Sequence, residues 1–243
     1  DLSGNESQNS FSVGVGYQAA YQYQGSYSVA IGMNAGYANQ NTNSVAVGNS
    51  AGQTNQGGGS VGVGSAAGYS NQGINSVSVG SGAGQNNQGG TSVAIGSGSG
   101  QFNQNTNSVA VGSNAGQTGQ GTYSVAIGQN SGQTSQNSYS TSVGSYAGQT
   151  GQGSSSVAIG YNAGGTSQNT SSVAVGYWAG LTGQGGYSTA IGSQAGQTGQ
   201  GWSSVAIGYA SGNYKQNTYC IAIGSSAGQS SQNAYSIAIG YNA

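Results

Sequence analysis

A glycine falls at every sixteenth position of this chain, from Gly16, Gly32 and Gly48 to Gly240, fifteen times with no insertion or deletion. A fixed period of that length marks a stacked array in which each repeat is one coil. Before each glycine runs a five-residue unit such as Ser28-Val29-Ala30-Ile31-Gly32 or Ser124-Val125-Ala126-Ile127-Gly128. β-Branched residues alternating with small ones give the period of two of a strand. A second, more polar extended segment follows, as in Ala115 to Gln120 or Ala195 to Gln200. Sixteen residues hold two short strands and two turns. The expected fold is therefore an all-β parallel β-solenoid of fifteen coils, read as one continuous domain over residues 1–243. With strands about 4.8 Å apart the stack is a rod roughly 70 Å long. Proline is absent, as stacking requires where nearly every N–H is used by a neighbouring coil. No 3.6-residue apolar stripe exists, and glycine recurs too often for helix.

The residue after the last Gln of each repeat is only ever Gly or Asn, as at Gly25, Asn41, Gly57 and Asn233. These two residues tolerate positive φ best, so a left-handed corner is expected there.

Composition removes most chemistries. There is no His, one Cys (Cys220), one basic residue (Lys215) and two acidic ones (Asp1, Glu6). Acid–base catalysis needs titratable groups and metal sites need clustered ligands, so neither an enzyme nor a metal or other cofactor is expected. One cation cannot neutralise enough phosphates for nucleic-acid binding. No apolar run approaches the length of a membrane-spanning helix, so no membrane insertion is expected, and the N-terminus lacks the pattern of a signal peptide. Disorder is not expected either, because Val, Ile and 17 Tyr recur at fixed intervals. The scarcity of Lys and Glu suits an extracellular or surface-exposed fibre.

Four rows of side chains are candidates for function. On the first strand Val29 and Ile31 point opposite to Ser28 and Ala30, and both sides are restricted across the repeats, which suggests burial on both. Either Val and Ile fill the interior, or they face outward as an apolar strip on the order of 500 Å² that self-association would cover. A Gln row runs through Gln24, Gln40, Gln56, Gln120, Gln200 and Gln232. Such amides stack along an axis, and the row reads as a structural ladder at the corner carbonyls in preference to a ligand-binding row. Tyr123, Tyr139, Tyr187, Trp178 and Trp202 sit beside turns, as packing residues or as a contact layer for a glycan or host surface. Thr118, Thr134, Thr150, Thr166, Thr182 and Thr198 form an unbroken hydroxyl row, one residue wide, of the kind that could order water.

The Ser-Val-Ala-Ile-Gly unit followed two residues later by Ala or Ser, as in Ser92 to Ser99 or Ser156 to Ala163, resembles the YadA-like head repeats of trimeric autotransporter adhesins, over nearly the whole chain. Similar repeats also resemble parts of viral fibres. The resemblance implies a left-handed β-roll and association of three rolls through Val29 and Ile31, Val45 and Val47, Val125 and Ile127, Val157 and Ile159. The coil here is longer than the family's by its Gln-rich second strand.

These readings predict a structural, self-assembling fibre or adhesin-like surface protein, its partners being further copies of itself, lateral or head to tail. Asp1 and Glu6 in the first coil and Lys215 near the last would favour head-to-tail polarity. An ice-binding solenoid using the Thr row is the alternative. Asn5-Glu6-Ser7 and Asn169-Thr170-Ser171 match the N-glycosylation acceptor pattern, relevant only in a eukaryotic secretory route.

Overall fold

The computed structural model describes residues 6–243, so the Asp1 charge and the Asn5 acceptor lie outside the described residues, as does the Glu6 side chain. The fold is all-β with no helix among the described residues, a parallel β-solenoid with sixteen-residue spacing and two short strands per coil. It divides into two compact units, one ending at Tyr123 and one beginning at Ser124.

In the first unit the valine strands Val13–Val15, Val29–Ile31, Val45–Val47, Val61–Val63, Val77–Val79, Val93–Ile95 and Val109–Val111 pair in parallel, each with its equivalent sixteen residues on. A second ladder joins the glutamine strands, from Glu6–Gln8 and Gln22–Gln24 to Asn86–Gln88. The second unit repeats the valine ladder in eight strands, Val125–Ile127 to Ile237–Ile239. There the polar segment pairs through single bridges such as Thr134 with Thr150. The valine strands are held by bonds like Val29 N–H to Ser44 O at 2.9 Å and Gly48 N–H to Ile31 O at 2.8 Å.

The interior of each coil is too narrow for large aliphatic side chains. It holds Ala30, Ser28 and Ala35, all fully buried as are their equivalents between the end coils, and the largest fully buried side chains are the glutamines of the Gln24 slot. Val and Ile therefore take the other face of the strand and point out. Because their partners inside are Ala, Gly or Ser, the strand is restricted on both faces even though only one is a core.

Left-handed backbone is far more frequent than the corner argument predicts, and it lies elsewhere. In one coil Gly32, Asn34, Gly36, Asn39 and Asn43 all have positive φ, while Asn41, Gly25 and Gly57 do not. The Gly-or-Asn corner has a different cause. A Cβ on Gly25 would lie 2.5 Å from Thr42 N, and one on Gly57 2.6 Å from Gly73 C, so the next coil's backbone leaves no room for a side chain. Asn is accepted where the coils open slightly: Asn41 N–H reaches Gln56 O at 3.0 Å against 2.8 Å for Gly57 N–H to Gln72 O, and the Asn41 amide donates to Gln56 O at 2.9 Å. The period-marking glycine combines both demands. Gly32 has φ of 127°, and a Cβ there would lie 2.6 Å from Gly48 O.

Candidate interaction surfaces

No cleft is present among the described residues, so the candidate surfaces are the outer faces of the coils.

The first is the valine-strand face. Both outward positions of each valine strand are Val or Ile, except for Thr141 and Thr189. Val29, Val45, Val47, Val125 and Val157 are half-buried, and Ile31, Ile127 and Ile159 are each 40% exposed. The face is thus a sheet surface with an aliphatic side chain at every rung and Ala, Ser or Gly beneath. It carries no charge.

The Gln row lies inside. Gln40 Nε2 donates to Val29 O at 2.8 Å and Gln56 Nε2 to Val45 O at 2.7 Å, so each amide crosses the coil to a valine-strand carbonyl. Corner carbonyls are satisfied instead by the serine slot: Ser44 Oγ donates to Asn41 O at 2.5 Å and Ser60 Oγ to Gly57 O at 2.5 Å. Cys220 replaces that serine and contacts Asn233 O at 2.8 Å. Gln24, Gln40, Gln56, Gln120 and Gln200 are at most 2% exposed and Gln232 7%, which closes the row to any ligand. The amides also do not form one unbroken chain. Direct links join Gln24 to Gln40, Gln168 to Gln184 and Gln216 to Gln232 at 3.1–3.2 Å, whereas Gln56 Oε1, Gln72 Oε1 and Gln200 Oε1 are buried without a hydrogen bond. These oxygens lie over glycines of the next slot inward. A Cβ on Gly52 would meet Gln56 Oε1 at 2.6 Å, which explains the glycine that follows Ala or Ser at this turn in every repeat from Gly36 to Gly228.

The Thr row divides between the units. Thr118 lies in the first, bridged to Phe102, and Thr134, Thr150, Thr166, Thr182 and Thr198 bridge one another in the second. All but the half-buried Thr198 are exposed. Beside this slot, in the first unit, is a row that the sequence reading missed. Asn39, Asn55, Asn71, Asn87 and Asn103 are exposed, have φ of 55–57°, and the first four each donate Nδ2 to the next Oδ1 at 3.0–3.1 Å. The signal was present: Asn precedes Gln in five consecutive repeats. It is easily lost in a chain so rich in Asn.

Of the aromatic residues, Tyr123, Tyr139, Tyr187 and Trp202 are at least half exposed. The three tyrosines occupy a slot with φ of 56–61°, a conformation unfavourable for bulky L-residues, which throws the ring outward from the coil. Tyr187 meets Trp202 at 6.1 Å in a tilted pair. Trp178 is half-buried and stacks on Tyr177 at 4.8 Å, its Nε1 without a partner. The Lys215 ammonium sits 5.3 Å above the Tyr214 ring, a cation–π contact.

No protein-family model, curated protein or solved structure matches the chain.

Proposed function

We propose that the chain is a structural, self-assembling fibre or adhesin-like surface protein, in which the valine-strand face of one copy packs on that of another. The observation that carries this reading is the outward Val or Ile pair at every rung but those of Thr141 and Thr189, on an uncharged sheet face. Its partial exposure leaves apolar surface that a second sheet would remove from water, at about 25 cal/mol per Å². The unit that resembles YadA-like head repeats points the same way, and a fibre exposed outside the cell suits the composition.

The test is sedimentation of the purified chain over a range of concentrations, with Val157→Lys and the milder Val157→Thr beside the parent. The parent is expected to associate. The lysine variant should shift to single copies with an unchanged β-sheet circular dichroism spectrum. The threonine variant should weaken association less, because Thr141 and Thr189 already occupy this slot. The second reading, ice binding, is favoured by the exposed Thr134, Thr150, Thr166 and Thr182. Dispersed single copies that produce thermal hysteresis would overturn the fibre reading in its favour.

A further inference from the structure

The tyrosines form stacked pairs between consecutive coils. Tyr219 and Tyr235 have ring centroids 5.1 Å apart at 11°, Tyr21 and Tyr37 5.1 Å apart at 12°, and Tyr161 and Tyr177 5.6 Å apart at 12°. In the first pair both rings are open to solvent, 54% and 77% exposed. Both residues have left-handed backbone, φ 59° and 61°, and the coil-to-coil bond Tyr235 N–H to Thr218 O at 3.1 Å holds their main chains in register. Other routes to a covalent link along the solenoid are closed. Lys215 is the one lysine, and the one cysteine, Cys220, is buried. Phenol chemistry is what this chain has in quantity.

We infer that Tyr219 and Tyr235 are a site of oxidative coupling, joined as dityrosine when a one-electron oxidant such as a haem peroxidase with hydrogen peroxide reaches the surface. Each phenol gives up one electron and one proton to become a phenoxyl radical. The two radicals form a carbon–carbon bond between ring carbons ortho to oxygen, and the two ortho hydrogens move to the phenol oxygens, restoring both rings. Two electrons and two protons leave in all, and they convert one hydrogen peroxide to two waters. Stacking supplies the second ring at an effective concentration on the order of millimolar or above, far beyond that of a second chain in dilute solution. The product is a staple closing a sixteen-residue loop between one coil and the next. The Tyr161–Tyr177 pair is a poorer site, because Trp178 lies 4.8 Å from Tyr177 and competes for the radical.

The experiment treats the full chain with a haem peroxidase and hydrogen peroxide. It reads dityrosine fluorescence and the mass of the denatured chain, which falls by two hydrogens per staple. Reading the single-chain product keeps the result independent of whether copies associate. Tyr235→Phe retains the stacked ring and removes the phenol, so folding is not at issue. It is expected to lower the single-chain yield roughly twofold, since it removes the most exposed of the stacked pairs. Tyr209→Phe removes a phenol that is 58% exposed and outside these pairs, and should leave the yield unchanged. Yield per chain should hold on dilution. Equal yields from Tyr235→Phe and the parent, an equal loss from Tyr209→Phe, or a yield that falls with dilution would overturn the proposal.

Discussion

The two units have the same kind of interior and present different polar faces. In both, the coil is filled by Ala, Ser and a buried Gln, and the aliphatic pair faces out. On the polar segment they diverge. The first unit orders the slot before Gln into the linked row Asn39–Asn103, in which Asn39, Asn55, Asn71 and Asn87 are the central residues of three-residue parallel strands. The second places Ser135, Gly151, Ser167 and Gly183 in that slot, orders the neighbouring one as threonine, and pairs through single bridges. The difference teaches that the coil is defined from inside. Backbone bonds and buried glutamines set its shape, and the surface rows vary without changing the period.

The largest effects should therefore come from the interior and be alike in the two units. Gln56→Ala removes the donor to Val45 O and empties the space of one of the largest buried side chains, and Gln168→Ala does the same at Val157 O. Each is expected to cost about 3 kcal/mol, from a lost buried hydrogen bond together with a cavity. Urea unfolding combined with hydrogen exchange of the flanking coils reads both the size and the place of the loss, which matters in an array whose stability is a sum over neighbours. A substitution tolerated in one unit and ruinous in the other would break the claim of a common interior.

Intermediate effects should separate the units. Asn71→Ala deletes two ladder links at 3.0 Å and leaves an alanine at φ near 57°, an expected loss of about 2 kcal/mol. Ser167→Ala occupies the same slot in the second unit, where no such row exists and the left-handed conformation is already borne by serine, so it should cost less than about 1 kcal/mol. Equal losses, measured by the same unfolding curves, would mean that the asparagine links contribute nothing beyond the backbone.

Much of this was legible in the sequence because a period of sixteen multiplies each local signal fifteen times. The strand unit, its two restricted faces and the coil-by-coil register could be read from the recurrence of Ser28-Val29-Ala30-Ile31-Gly32 and its equivalents. Which face was inside could not be read, because Ala30 and Val29 are both plausible core residues and only the width of the coil decides. The corner slot misled for a related reason. Gly25 and Asn41 share a tolerance of positive φ, yet what selects them is the approach of the next coil, a contact sixteen residues away. One of the true left-handed slots carries Tyr27, Asn43, Gly59, Thr91 and Ser155, a mixture that hides the constraint.

The smallest expected effect sharpens the comparison most. If the Asn row is an ordering device and not a by-product of composition, it should be transferable. A Cβ added at Gly151 meets nothing closer than 3.9 Å, at Ser167, and one added at Gly183 likewise meets nothing closer than 3.9 Å, at Gly199. Both glycines have φ of 67°, a region that Asn accepts more readily than other residues with a side chain. Replacing Gly151, Ser167 and Gly183 together by Asn creates two new links of the kind that joins Asn55 to Asn71. Each should contribute about 0.5 kcal/mol after the side chains are ordered, giving a gain of about 1 kcal/mol in urea unfolding and slower exchange at Thr150 and Thr166 N–H. A stabilised second unit would show that the face can be rewritten while the interior stays fixed. No gain, with the fold intact, would show that the order of the Asn row in the first unit is inherited from the wider pairing of its glutamine strands.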